Sequence, residues 1–128
     1  AFGAGLVALA GSCADVYNPK VMRAAMGALF RAQPRRMAYG ELAAFAKKQG
    51  LPLYAAVPSP DALDARQADL SRAAVIIGNE ANGISAELLS LADGRVRIPM
   101  AGRAESLNAA VAAAVFLWEM AGKPGGQA

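Results

Sequence analysis

The chain has 128 residues, 55% of them hydrophobic and 18% charged, which fits one packed domain burying roughly two-thirds of its unfolded surface and excludes a disordered composition. Its net charge of +3 suits a polyanionic partner without demanding one, and the lack of histidine excludes Ser-His and Cys-His nucleophile pairs and any imidazole metal ligand. A single cysteine, Cys13, excludes an internal disulfide, and the longest apolar run, Ala109 to Trp118, is too short to span a bilayer.

No basic region precedes the apolar N-terminus, so a soluble, cytoplasmic protein in a reducing compartment is expected, without membrane or metal. Cys13 reads as inert core. Leu6 to Ala10 reads as a buried strand. Gly3-x-Gly5 precedes that strand instead of following it, and Ala8 stands where a third glycine belongs, so a dinucleotide-binding loop is discarded. Asn18 caps a helix that Pro19 opens and that runs to about Met26, with Lys20 and Arg23 near its N-terminal end. Lys20 and Arg23 fit either a solvated face or a phosphate contact.

Ala28 to Phe30 reads as a short strand before an Arg31 to Arg36 loop. Glu41 to Gln49 is a predicted helix, stopped by Lys47, Lys48 and Gly50 with Pro52 beyond. Leu53 to Val57 is a strand ended by Pro58-Ser59-Pro60. Asp61 to Arg72, alternately charged, reads as a surface loop with a helical turn, and Ala73 to Ile77 as a strand covered on both faces. Ser85 caps a short helix through Leu91, Gly94 ends it, and Arg95 to Ile98 is the last strand.

Glu105 or Ser106 then starts a helix reaching about Ala121. Leu107, Ala110, Val111, Ala114, Val115 and Trp118 cover one side, while Ala109, Ala112, Ala113 and Phe116 leave the other apolar too. Such a helix is buried twice, and a second copy of the chain is the simplest cover. The domain is expected over 1–121, with a frayed tail over 122–128. Strands alternating with helices give an α/β fold with a mainly parallel sheet flanked by helices.

Ligands in open parallel sheets bind beyond the carboxyl ends of the strands. Two loops there draw notice. Ile77-Gly78-Asn79-Glu80-Ala81-Asn82-Gly83-Ile84-Ser85 sets one carboxylate and two amides between glycines, and Ile98-Pro99-Met100-Ala101-Gly102-Arg103-Ala104-Glu105-Ser106-Leu107-Asn108 adds apolar walls and hydrogen-bonding groups. Taken alone, the first loop fits a plain strand-to-helix turn; together they suit a flat, partly polar ligand.

At these residues, with Y-N-P-K-V-M-R-A-A-M-G-A-L-F upstream, the chain resembles the SpoU/TrmH family of the SPOUT RNA methyltransferases over most of its length. The resemblance implies transfer of a methyl group from S-adenosylmethionine to a ribose 2′-hydroxyl in tRNA or rRNA, by a homodimer whose C-terminal part forms a trefoil knot. By position, Gly78, Ile98 and Leu107 are implied to contact the cofactor, with Ile77, Asn79, Met100 and Ser106 beside them. Glu80, Ser106 and Asn108 match polar active-site positions, and Lys20, Arg23 and Arg103 are candidates for RNA. The family's first motif, with its catalytic arginine, lies ahead of the segment resembling Ala1-Phe2-Gly3-Ala4. The chain is therefore expected to bind cofactor yet to methylate RNA poorly. The alternatives are a non-catalytic RNA-binding or assembly module of the same fold and a small-molecule enzyme with a nucleotide ligand.

Overall fold

The structure, a computed structural model, describes residues 1–122. Strand β1 (Ala8–Ala10) is followed by helices α1 (Pro19–Ala25) and α2 (Leu29–Ala32), strand β2 (Arg35–Met37) and helix α3 (Tyr39–Lys48). Strands β3 (Leu53–Ala56), β4 (Leu63–Asp64) and β5 (Ala74–Ile76) come next, then helix α4 (Ala86–Ser90), strand β6 (Gly94–Arg97) and helix α5 (Ala109–Gly122). All strand pairs are parallel: β1 with β2, and a four-stranded sheet in the order β4-β6-β3-β5.

The four-stranded sheet is covered on both faces, and strand alternation decides which residue goes where. Leu53 and Ile76 meet Leu42 and Ala46 of α3 and Leu88 of α4 in one core. Tyr54, Val75, Ile77 and Val96 turn the other way, toward Ala65, Ala68, Leu70 and Phe116 of α5. Double coverage explains why Ala73 to Ile77 is apolar throughout.

Local signals hold at several boundaries. The Asn18 side chain accepts from the Lys20 amide at 2.9 Å, ahead of Pro19 in the first turn of α1. The Ser85 hydroxyl accepts from the Leu88 amide at 3.3 Å and so caps α4. Gly50, at φ +63°, lets the chain leave α3 while the Leu51 amide reaches back to the Ala46 carbonyl at 2.9 Å.

Other expectations are corrected. Where Ala28 to Phe30 read as a short strand, Leu29 to Ala32 is a helical turn, and the basic loop holds a strand, β2, whose arginines lie exposed beside β1. Charge on a short edge strand hides the apolar alternation that would have marked it. Helix α5 starts at Ala109, since Asn108 supplies the cap that Glu105 and Ser106 do not. Leu91 ends α4, and Gly94 opens β6. Cys13 is exposed, not core.

The stretch expected on the surface, Asp61 to Arg72, is exposed at some positions and buried at others. Ala62, Ala65, Ala68 and Leu70 are buried, Leu70 completely, and Leu63–Asp64 pairs with β6. Arg66, Gln67 and Asp69 between them are exposed, which gives the sequence its surface-like composition. Asp64 secures this segment: its carboxylate accepts from the Arg66 amide at 2.9 Å and from the Arg66 guanidinium at 2.6 Å. Those hydrogen bonds hold the Asp64 pKa down at about 2. The tail beyond Gly122 lies outside the described residues. Among the described residues no helix is long and apolar enough to cross a membrane.

Candidate functional site

Three adjacent parallel strands, β6, β3 and β5, run in the same direction, so their carboxyl ends open on one edge of the sheet. A cleft of about 280 Å³ lies there, near the lower end of the range of roughly 300–1,000 Å³ usual for small-molecule sites. Ala56, Val57 and Pro58 line it from β3, Ile77 to Glu80 and Gly83 from β5, and Val96 to Ile98 with Met100 from β6. Glu105, Ser106 and Leu107 close one side, and Ala109, Ala112 and Phe116 of α5 form the back.

The loop after β5 is a closed turn. The Asn79 amide donates to the Gly83 carbonyl at 3.0 Å, and the Gly83 amide donates back to the Asn79 carbonyl at 2.8 Å. The Asn79 side-chain oxygen accepts from the Ala81 amide at 2.7 Å, so it is committed to the loop. Gly83 takes φ +64°, which favours glycine. Gly78 is required for a different reason: a Cβ there would stand 2.6 Å from the Gly83 carbonyl carbon. The two glycines bring the strands of the turn together and leave Glu80 at its exposed tip.

The second loop ends at Asn108. Its side-chain oxygen accepts from the Ala110 amide at 3.0 Å and the Val111 amide at 3.3 Å, capping α5. With the oxygen turned to the helix, the Asn108 amide nitrogen faces Glu80 and donates to its carboxylate at 3.4 Å. Ser106 lies on the cleft wall two residues earlier. Apolar walls from Ile77, Ile98, Met100 and Leu107 thus share the cleft with the polar side chains of Glu80 and Ser106, and Asn108 is joined to Glu80.

All seven residues singled out for a cofactor, Ile77, Gly78, Asn79, Ile98, Met100, Ser106 and Leu107, line this one cleft. Glu80 lines it too, and Asn108 is tied to it through Glu80. Lys20 and Arg23, exposed on α1, are not lining residues; Arg103 is exposed on the loop between Met100 and Glu105. Sequence reasoning missed the β3 end and the inner face of α5. The Pro58-Ser59-Pro60 stop after Leu53 to Val57 was the available signal, since a third parallel strand must end at the same edge. Among the described residues no group of three or more His, Cys, Asp or Glu side chains could hold a metal.

Comparisons with known proteins agree with this geometry. A model of the family described as SpoU rRNA Methylase matches residues 1–118. The chain is 47% identical over 76 residues to the tRNA (guanosine(18)-2'-O)-methyltransferase of Thermus thermophilus, covering 59% of this chain and 39% of that protein. It is 33% identical over 122 residues to the 23S rRNA (guanosine(2553)-2'-O)-methyltransferase of Bacillus subtilis, covering 95% and 49%. The crystal structure of the SpoU methyltransferase AviRb from Streptomyces viridochromogenes with AdoMet matches at a TM-score of 0.85 and 35% identity, covering 94% of this chain and 50% of that one. The chain thus spans half or less of the length of these relatives. With its apolar cleft, its glycine-pinned turn and a match over nearly its full length, the chain belongs to the SpoU rRNA methylase family.

Proposed function

We propose that the chain is the cofactor-binding part, with a share of the active site, of an S-adenosylmethionine-dependent RNA methyltransferase acting on a ribose 2′-hydroxyl in tRNA or rRNA. The observation that carries this reading is the convergence of three strand ends on one largely apolar cleft that Glu80 and Ser106 also line, with Asn108 hydrogen-bonded to Glu80. The residues fit the cofactor: Ile77, Ile98, Met100 and Leu107 supply apolar walls for a flat ring, and Glu80 and Ser106 suit its charged part. Two relatives carry ribose methylation in their names, and AviRb was crystallised with AdoMet.

When bound, the cofactor supplies a methyl group on a positively charged sulfur. Transfer joins that carbon to the ribose 2′-oxygen, leaves a neutral thioether and releases the hydroxyl proton. The protein's part is then positioning and proton handling. Asn108, fixed by its cap on α5, holds the Glu80 carboxylate toward the cleft. Glu80 orients the reacting group or takes its proton, and the Ser106 hydroxyl holds the ribose. Lys20, Arg23 and Arg103, all exposed, are assigned to the RNA backbone.

The same reading extends to assembly. The C-terminal part is proposed to form a trefoil knot, supported by the insertion of the last strand, β6, between the earlier β3 and β4. A second copy is proposed to cover the outer face of α5, where Val111 and Trp118 are exposed while Phe116 faces the core. Incubation of the protein with methyl-labelled S-adenosylmethionine and total RNA, followed by nucleoside analysis, tests the function. Label in a 2′-O-methylated nucleoside is expected, at a low level. Label on a base alone would overturn the ribose assignment.

A further inference from the structure

The basic charge of this protein is concentrated in one segment. The whole chain carries 13 basic and 10 acidic side chains, yet residues 16–40 hold Lys20, Arg23, Arg31, Arg35 and Arg36 with no acidic residue among them. The rest of the chain is therefore net acidic, and the entire basic excess belongs to α1, α2 and β2. All five cations are exposed. Arg36 binds the segment together from its far end, donating to the Ala14 carbonyl at 3.5 Å in the loop before α1.

The same segment displays the most exposed large apolar side chains of the described residues. Met26 is 87%, Tyr17 77% and Phe30 76% exposed. Large apolar groups this bare among cations mark a contact surface. The backbone agrees. Met26 and Gln33 are the only non-glycine residues at positive φ among the described residues, and they bracket α2, which carries Phe30 and Arg31. Strained positions on both sides of one helical turn fix how that turn is presented.

We infer that α1, α2 and β2 form an RNA-docking surface on which Tyr17 and Phe30 stack unpaired bases while Lys20, Arg23, Arg31, Arg35 and Arg36 hold the phosphates. Cations spaced along a backbone track, interleaved with bare aromatic rings, are the anatomy of single-strand recognition. Charge selects a polyanion over an ordinary protein partner. The inference rests on the RNA methyltransferase reading for its ligand class, and it assigns to this surface the capture of a looped-out strand that the cleft then modifies.

The test is fluorescence anisotropy of the protein with a labelled single-stranded oligouridylate across a salt series. Tyr17→Ala with Phe30→Ala is expected to weaken binding by roughly thirty-fold or more with the salt slope unchanged, because two stacking contacts are lost but no phosphate contact is. Arg31→Ala with Arg35→Ala is expected to weaken binding and lower the slope of log affinity against log salt by about 0.7 for each arginine. Lys47→Ala with Lys48→Ala, at the end of α3, serves as the charge control and should move neither by as much. Calorimetric titration of each variant with S-adenosylmethionine reports folding and the cleft independently.

An aromatic variant that binds the oligomer as the parent does, or a parent that does not bind it, overturns the surface. So does a loss of RNA binding that accompanies dissociation of a dimer in sedimentation, because Tyr17 and Phe30 would then belong to an interface between copies. Parent protein that binds RNA through this segment but gives no heat with S-adenosylmethionine would overturn the methyltransferase reading and leave the surface standing.

Discussion

Asn108 donates its side-chain amide to the Glu80 carboxylate at 3.4 Å, joining the loop after β5 to the cap of α5 across 28 positions of sequence. The two ends of Asn108 have separate tasks. Its oxygen holds the first turn of α5, and its nitrogen holds Glu80. Substitutions that remove one task and keep the other therefore separate stability from function.

Asn108→Ala removes both and is expected to cost about 1 kcal/mol of stability through the lost cap. Asn108→Asp keeps an oxygen for the cap but sets a second carboxylate against Glu80. Its unfolding midpoint should stay near the parent's. Methyl transfer should fall on the order of a hundred-fold in both, as a misplaced reacting group requires. Urea denaturation and labelled-methyl incorporation check this, and an Asn108→Asp protein with parental activity would remove the hydrogen bond from the mechanism.

Gly78 and Gly83 face each other across the turn yet should respond differently to substitution. Alanine at position 78 would press on backbone at three points, the Gly83 carbonyl carbon at 2.6 Å and the Gly83 oxygen and Ile84 nitrogen at 2.9 Å. None of these can rotate away. Gly78→Ala is expected to destabilise by about 1–3 kcal/mol and to weaken cofactor binding at least ten-fold as the loop shifts. Gly83 has open space around it and only its φ of +64° to satisfy. Asparagine visits that region more readily than other residues, so Gly83→Asn should retain most binding, and equal losses in calorimetry would contradict the steric explanation.

Asp64 sets an acid limit on stability. The hydrogen bonds from Arg66 hold its folded pKa at about 2, against about 3.9 for an unperturbed aspartate. The stabilisation is therefore fully present above about pH 4 and is lost as pH falls toward 2. Asp64→Asn should be less stable than the parent at neutral pH and should show a shallower fall of urea midpoint between pH 4 and 2. Parallel pH profiles for the two proteins would mean that another carboxylate governs the acid transition.

The two faces of α5 predict an assembly phenotype. Ala109, Ala112 and Phe116 back the cleft, whereas Ala110, Val111, Ala114, Val115 and Trp118 line a shallow apolar groove on the outer side. Trp118 is 65% exposed and meets Phe2 edge to face at 6.0 Å between ring centres. Trp118→Glu is expected to weaken self-association by roughly thirty-fold or more, the scale of an interface hot spot. Sedimentation of the parent as a monomer at high concentration would end the dimer proposal.

Much of this was legible where a residue type has one physical use. Ser85 and Asn18 cap helices, Gly50 turns the chain out of α3, and the apolar run before Gly78 is a strand covered twice. The two loops of the cleft were legible as well, because parallel strands must open at one edge and both loops follow such strands; which of their residues line it was implied by the SpoU/TrmH resemblance. What could not be read were features made by distant pairing. Strand β2 exists because Arg35 to Met37 lie beside Ala8 to Ala10, and no local pattern in R-R-M announces it. The burial of Ala62, Ala65, Ala68 and Leu70 comes from packing against distant elements and from the pairing of Leu63–Asp64 with β6, and alternating charge concealed it. Only three-dimensional packing distinguishes exposed Cys13 from a core cysteine.

The most direct measurement is calorimetric titration of the protein with S-adenosylmethionine, run in parallel on the parent and on Gly78→Ala. Saturable heat at one ligand per chain is expected for the parent, with binding weakened at least ten-fold by the substitution, because the cleft at the ends of β3, β5 and β6 is shaped by that glycine. A folded parent that gives no heat at millimolar ligand, or a Gly78→Ala protein that binds as tightly as the parent, would contradict the placement of the cofactor in this cleft.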